Sequence, residues 1–76
     1  MRNEHYNTGY EAAKTTLIIF SQSGDEAIIK FFQSLLNKRN ELDPNDFETA
    51  KEYDDLMEWY DGQLDYTEGY ISENIG

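Results

Sequence analysis

The chain has 76 residues, no cysteine, 38% hydrophobic residues and a formal net charge of −10. A chain of this length forms one domain at most, and without cysteine it can build neither a disulfide framework nor a thiolate metal site. The longest apolar run, residues 17–20, is far too short to cross a bilayer, and residues 1–20 lack the pattern of a signal peptide, so the sequence predicts a cytoplasmic protein that does not associate with membranes.

The first predicted helix covers residues 8–22. Thr8 and Glu11 form a Thr-x-x-Glu pattern, which is typical of a capping box at a helix start. The residues that follow at spacings of three, four and three fit one face of a helix: Tyr10, Ala13, Leu17 and Phe20. The β-branched run at residues 15–20 suits a short buried strand equally well, so an α+β fold with a strand at 15–20 stays open as the alternative.

The second predicted helix covers residues 24–39. Ser23 and Glu26 form another capping-box pattern, and Asp25 adds negative charge where a helix N-terminus favours it. Lys38 and Arg39 fall in the last turn, where cations interact favourably with the helix dipole. The spacing i, i+3, i+4, i+7, i+8 predicts an amphipathic helix whose apolar face consists of Ile28, Phe31, Phe32, Leu35 and Leu36.

The third predicted helix covers residues 44–61. Asp43 is a good N-cap and Pro44 suits the first helical position, while Leu42 and Phe47 are placed to form a hydrophobic staple. Because Gly62 weakens a helix, the sequence leaves residues 62–76 open between a continued helix, a turn with a strand, and a frayed end. The three segments together predict an all-α fold, in which residues 1–76 form a single compact three-helix domain.

Charge is distributed unevenly along the chain. Residues 1–40 contain four acids and five bases, whereas residues 41–76 contain twelve acids and only Lys51. Such an asymmetry indicates an interaction surface or an acidic tail, and the many aromatic residues of this half argue against a disordered tail. A helical wheel places carboxylates on one side of the third helix and an apolar stripe on the other: Ala50, Tyr53, Leu56, Met57, Tyr60 and Leu64.

Trp59 falls among the carboxylates on this wheel, away from the apolar stripe. Trp and Tyr dominate interface hot spots, so an exposed Trp59 is a candidate binding anchor; burial of this single Trp is the alternative.

Residues 44–65 contain eight acids and one lysine, over about 33 Å of helix. This density approaches that of phosphates along a DNA strand, about one per 3.4 Å. Like-charged neighbours at i, i+4 destabilise a helix, which indicates a purpose beyond solubility.

The acids of residues 41–68, with Trp59, Tyr66 and Tyr70 as exposed aromatic candidates, make the sequence resemble small acidic phage-type inhibitors of the DNA-mimic class, such as anti-restriction and anti-CRISPR proteins. The resemblance is one of composition. It implies a location in the host cytoplasm and, as partner, a basic nucleic-acid-binding host protein or complex. It also implies a partner-binding surface formed by Glu48, Glu52, Asp54, Asp55, Glu58, Trp59, Asp61, Asp65, Tyr66 and Tyr70.

The residues of catalysis and of metal binding do not form a recognisable set. His5 is the single histidine, so no Ser/His/Asp or Cys/His arrangement is complete. EF-hand patterns that start at Asp43 or Asp61 fail because Phe47 and Tyr66 occupy positions that need an oxygen ligand and a glycine. We therefore expect no enzyme, no catalytic residue, no metal site and no cofactor. Direct nucleic-acid binding is also disfavoured, because phosphates would be repelled.

Two other functions stay open at this point. A small helical adaptor or assembly subunit would share the apolar face of the second helix with a partner chain or a second copy, so the protein is expected to be a monomer or a homodimer. An inhibitor could also dock on a basic patch unrelated to nucleic acid, such as one on RNA polymerase or on a regulatory surface of a nuclease. Nucleic acid would then not compete with it.

Overall fold

Three α-helices form most of residues 3–75, which is the part of the chain that the computed structural model describes. They are α1 (Glu4–Phe20), α2 (Asp25–Asn40) and α3 (Ala50–Asn74), with short 3₁₀ turns at Ser21–Ser23 and Pro44–Asp46. These described residues contain no strand, so the predicted all-α three-helix fold is confirmed. The structure measures 39 × 25 × 19 Å, and α3, with a length of about 37 Å, accounts for the long dimension.

α1 begins four residues before its predicted start. Asn3 is the N-cap, and its side-chain oxygen accepts a hydrogen bond of 3.0 Å from the backbone N–H of Tyr6. Thr8 and Glu11 lie inside the helix, so the predicted capping box at these residues is wrong. An Asn cap satisfies the same orphan N–H groups, and the acidic Glu4 follows it in the first turn.

The β-branched run at residues 15–20 is helical. The hydroxyl groups of Thr15 and Thr16 donate to carbonyl oxygens one turn earlier, at 3.3 and 2.9 Å, which satisfies both groups within the helix. Ala13 and Leu17 are buried, whereas Thr15, which would share their face in a strand, is exposed, so burial follows the helical period. The alternative of a strand at 15–20 is wrong.

Gly24 separates α1 from α2. Its φ of 101° lies in the left-handed region that favours glycine, and it occupies the N-cap position of α2 without a side-chain hydrogen bond. The predicted capping box of Ser23 and Glu26 is therefore wrong. The acids in the first turn of α2 and the bases in its last turn lie where the sequence places them, and its bounds differ from the predicted 24–39 by one residue at each end.

The predicted start of the third helix at residue 44 is wrong by six residues. The Asp43 side chain does accept a hydrogen bond, of 2.9 Å, from the backbone N–H of Asn45, but it caps only the 3₁₀ turn. The chain is extended at Phe47 and at Thr49. Thr49 is the N-cap of α3, with its hydroxyl oxygen accepting from the backbone N–H of Glu52 at 3.2 Å.

α3 continues through Gly62 to Asn74, so the predicted end at residue 61 is also wrong. A Cβ on Gly62 would lie 2.0 Å from the backbone oxygen of Tyr6, and a Cβ on Gly9 would lie 2.0 Å from the backbone oxygen of Trp59. The two helices therefore touch backbone to backbone at this pair of glycines. Gly62 lowers the intrinsic helix propensity, and the close packing that it permits compensates for this loss.

α3 is the central helix: α1 packs extensively against it, α2 packs against it less, and α1 and α2 barely touch. His5 lies beside Asp55 and Tyr10 beside Tyr66, so α1 and α3 run in the same direction. The core consists of small and medium side chains of all three helices: Gly9, Ala13, Leu17, Ile28, Leu35, Gly62, Gln63, Leu64 and Thr67. Of the predicted apolar stripe of the third helix, only Leu64 belongs to this buried set.

Candidate partner-binding surface

Five carboxylates form one row along the outer side of α3. Asp54, Glu58, Asp61, Asp65 and Glu68 follow one another at spacings of four, three, four and three residues, which puts them on one helical face. We call this row the acidic stripe. Asp54, Asp65 and Glu68 are exposed, and Glu58 and Asp61 are half-buried. The stripe is about 21 Å long, which corresponds to about one carboxylate per 5 Å.

The neighbouring helices contact the acidic stripe from both sides. Arg39, in the last turn of α2, donates from Nε to Oδ1 of Asp61 and forms an ion pair with it. The hydroxyl group of Tyr6 in α1 donates a hydrogen bond to Oδ2 of Asp65. Both carboxylates are thus held in fixed positions at the middle of the stripe. The guanidinium of Arg39 also brings one positive charge to a surface that the sequence predicted to be nearly all carboxylate.

Asp55 lies outside the row of the acidic stripe, on the side of α3 that faces α1. Its carboxylate accepts a hydrogen bond of 2.7 Å from Nζ of Lys51 and lies 3.4 Å from Nε2 of His5 in α1. The hydrogen bond from Lys51 lowers the pKa of Asp55 below its ordinary value of 3.8, and the same bond raises the pKa of Lys51 above 10.5. Glu48 and Glu52, before and within the first turn of α3, are exposed.

Trp59 does not lie on the acidic stripe. At about 100° per residue it sits about 140° around the helix from Asp54. Its side is the one that faces α1, where Gly9 approaches its backbone carbonyl. The ring is half-buried and meets the ring of Tyr60 edge to face, at 5.2 Å between centroids and 67° between planes. Trp59 thus lies outside the acidic stripe, on the side of α3 that α1 partly covers.

Tyr66 and Tyr70 line a groove between α3 and α1 rather than extending a patch around Trp59. The groove has a volume of about 350 Å³. Tyr10 of α1 forms its opposite wall and meets Tyr66 edge to face, with ring centroids 5.0 Å apart. We call this space the tyrosine groove, and its lining includes Tyr10, Asp65, Tyr66, Gly69, Tyr70 and Glu73.

Sequence reasoning did not identify Tyr10, Gly69 or Glu73 as parts of a site. The four-residue recurrence of Asp65, Gly69 and Glu73 is visible in the sequence and could have shown that these positions share a face. It was missed because residues 62–76 were not assigned to a helix. The role of Tyr10 has no signal in the sequence, because it depends on the direction in which α1 crosses α3.

Within residues 3–75, no group of three or more His, Asp or Glu side chains is arranged to hold a metal ion. The carboxylates are strung along a helix instead of converging on one point. Over the same residues, no helix combines the length and the apolar character that a membrane span requires.

Comparison of the chain with models of protein families, with curated proteins and with solved structures found no match.

Proposed function

We propose that this protein is a non-enzymatic inhibitor, which binds through its acidic stripe to the basic nucleic-acid-binding surface of a DNA- or RNA-handling protein. The observation that carries the proposal is the regular placement of five carboxylates on one open face of α3. A rigid helix presents them at about one per 5 Å, against about one phosphate per 3.4 Å along a DNA strand. A groove that is complementary to a nucleic-acid backbone offers cations at comparable intervals.

Repulsion within the isolated helix opposes this choice of side chains. Asp54 and Glu58, and likewise Asp61 and Asp65, are like-charged neighbours at i, i+4, and each such pair costs a helix about 0.2–0.5 kcal/mol. A lysine in place of one member would turn the cost into a gain of similar size. Of the stripe residues, Asp54 and Glu68 form no ion pair with any described residue. These two uncompensated carboxylates are consistent with a positive partner.

The contacts of Asp61 and Asp65 also favour a binding surface. Arg39 and the Tyr6 hydroxyl hold these two side chains in place before any partner arrives. Side chains that are fixed in advance lose less conformational entropy on binding, which is how preorganisation raises affinity. An acidic face that served solubility alone would gain nothing from such contacts.

The adaptor alternative is favoured less, because the apolar face of α2 is largely used within the fold. Leu35 is 4% exposed, and the ring of Phe31 meets that of Phe20 of α1 edge to face at 5.3 Å. What α2 leaves to a partner is a modest surface that includes Ile29 and Leu36, each 37% exposed. A stable protein–protein interface requires about 800 Å² from each partner.

A capture experiment with matched variants tests the proposal. The stripe variant carries Asp54→Asn, Asp65→Asn and Glu68→Gln. The control variant makes the same change in net charge at three exposed acids of α1 and α2 through Glu11→Gln, Asp25→Asn and Glu26→Gln. Each protein is immobilised, incubated with bacterial lysate at low salt, and eluted first with duplex DNA and then with salt.

We expect wild type and the control variant to capture a nucleic-acid-binding protein that duplex DNA displaces, and we expect the stripe variant to lose it. Salt should weaken the complex, because exposed charges at its interface are screened. Equal loss in both variants would refute a specific stripe. Loss in the stripe variant alone, without displacement by DNA, would instead identify a basic patch unrelated to nucleic acid. Capture that ignores charge, salt and DNA would support the adaptor.

A further inference from the structure

The tyrosine groove combines two features that together select a cation. One wall is aromatic: Tyr66 and Tyr70 lie one turn apart on α3, and Tyr10 of α1, 39% exposed, faces them. The rim is acidic, because Asp65 and Glu73 lie on the same face of α3 at either end of the groove. Aromatic faces attract a positively charged group through their quadrupole, and carboxylates attract it through their charge.

Gly69 creates the space between the two carboxylates. It lies four residues after Asp65 and four before Glu73, and nothing lies within 4 Å of the point that a Cβ would occupy. A side chain at this position would fill the groove. The glycine thus leaves a gap, flanked by a carboxylate on each side and bordered by the rings of Tyr66 and Tyr70.

The groove is held in shape by contacts on its α1 side. Tyr10 stacks on Tyr6 at 6.3 Å between ring centroids and meets Tyr66 edge to face, and Tyr6 donates a hydrogen bond to Asp65. Four side chains are therefore linked into one network that positions the aromatic wall relative to the carboxylate. Such a site does not have to order its walls when a ligand binds.

We propose that the tyrosine groove receives the side chain of an arginine of the partner protein. A guanidinium is planar, so it stacks on tyrosine rings, and it presents several N–H donors that a carboxylate can accept in pairs. The groove volume of about 350 Å³ lies at the small end of the range for ligand sites, which suits one side chain. Asp65 belongs both to the groove and to the acidic stripe, so an arginine bound here would extend the stripe interface.

The identity of the occupant as an arginine of a partner protein rests on the proposed function. Whether the tyrosine groove binds an arginine side chain can be tested without the partner. The probe is the peptide acetyl-Gly-Arg-Gly-amide, titrated into the ¹⁵N-labelled full chain and followed by NMR. The matched peptide carries citrulline, which has the shape of arginine without its charge. Gly69→Leu fills the groove from a position with free space, and Ala50→Leu adds the same side chain at an exposed position of α3 outside it.

We expect the arginine peptide to shift the amide signals of the groove residues and to bind about tenfold more tightly than the citrulline peptide, as a cation–π contact with a carboxylate predicts. Gly69→Leu should abolish this binding and Ala50→Leu should leave it unchanged. Equal binding of the two peptides, shifts that follow Asp54 and Glu58 instead of the groove, or binding that survives Gly69→Leu would each overturn the inference.

The capture experiment distinguishes a wrong assignment of the tyrosine groove from a wrong proposed function. If the stripe variant loses a DNA-displaceable partner while the arginine peptide does not bind, the groove assignment is wrong and the proposed function stands. If the arginine peptide binds in the groove but no captured protein is displaced by DNA, the groove assignment stands and the nucleic-acid-mimic function is wrong.

Discussion

The close approach of α1 and α3 at Gly9 and Gly62 leads to a prediction that compares one substitution at two positions of α3. Gly62→Ala would place a Cβ 2.0 Å from the backbone oxygen of Tyr6 and 2.8 Å from the backbone nitrogen of Tyr10. Backbone atoms cannot rotate away as a side chain can, so α1 and α3 must separate by more than 1 Å to reach an ordinary contact of about 3.4 Å. Gly69→Ala meets no atom within 4 Å.

The two substitutions should therefore change the free energy of unfolding in opposite directions. Alanine improves helix propensity over glycine by about 1 kcal/mol at either position. At position 62 the overpacking costs about 1–3 kcal/mol or more, and separation of α1 from α3 also weakens the packing of Ala13 and Leu17. We expect Gly62→Ala to lower stability by about 2 kcal/mol, a large fraction of what a domain of this size possesses, and Gly69→Ala to raise it by about 0.5–1 kcal/mol.

Thermal and urea unfolding, followed by circular dichroism and by Trp59 fluorescence, measure both effects. For a domain of this length, about 1 kcal/mol corresponds to a change of about 4–8 °C in Tm. Gly62→Ala should thus lower Tm by about 8–16 °C, and Gly69→Ala should raise it by a few degrees. A rise in stability for both variants would show that α1 and α3 do not cross at these glycines, and the reasoning would be refuted.

Three further predictions concern polar groups. Because the folded-state pKa of Asp55 is lowered, its ion pair with Lys51 contributes stability above pH 3.8 that is lost as pH falls through the folded-state value. The stability difference between wild type and Asp55→Asn, measured by urea unfolding, should thus vanish in acid. Gln63 is 5% exposed and its Nε2 has no hydrogen-bond partner among residues 3–75, so Gln63→Met should raise the free energy of unfolding by about 1 kcal/mol; a decrease would indicate that a bound water satisfies the amide. Asp54→Asn with Glu68→Gln should stabilise the protein by a few tenths of a kcal/mol at low salt by relieving repulsion, and Tm measurements should show no gain at high salt.

The number and type of the helices and the bounds of α2 were predictable from the sequence, but the start of α1 and both ends of α3 were not. The core residues Ala13 and Leu17 and the end charges of α2 follow directly from helical periodicity and from the helix dipole. The start of α3 was wrong because Asp43 and Thr49 are both good caps, and local chemistry does not decide between them. The end was wrong because Gly62 has a low propensity in isolation, whereas in the fold its missing side chain is what lets α1 approach.

The candidate site was predictable to a similar degree. Four of the five acids of the stripe were among the predicted binding residues, since their spacing of three and four needs only a helix to bring them together; Glu68, the fifth, was not. A helical wheel shows angles without showing where neighbouring helices pack, so it did not show that Asp55 and Trp59 lie on the side of α3 that faces α1. The wheel put the core on the side with large apolar residues. Because α1 packs against α3 at Gly62, the buried face of α3 includes Gln63 and Thr67 instead. Trp59 lies next to this face and is half-buried.

The fold requires polar side chains on the outer face of α3, but they could carry charge of either sign. With α1 on one flank and α2 on the other, positions 54, 65 and 68 are exposed whatever they carry. Glu68→Lys would place a cation three residues after Asp65, where it would stabilise the helix by a few tenths of a kcal/mol and make the protein less acidic. Folding therefore favours a mixture of charges on this face, and the sequence instead has carboxylates at all five stripe positions. Asp54 and Glu68 form no ion pair with any described residue that would offset this repulsion, so the acidic stripe, and not the apolar remainder of α2, is the surface to test first.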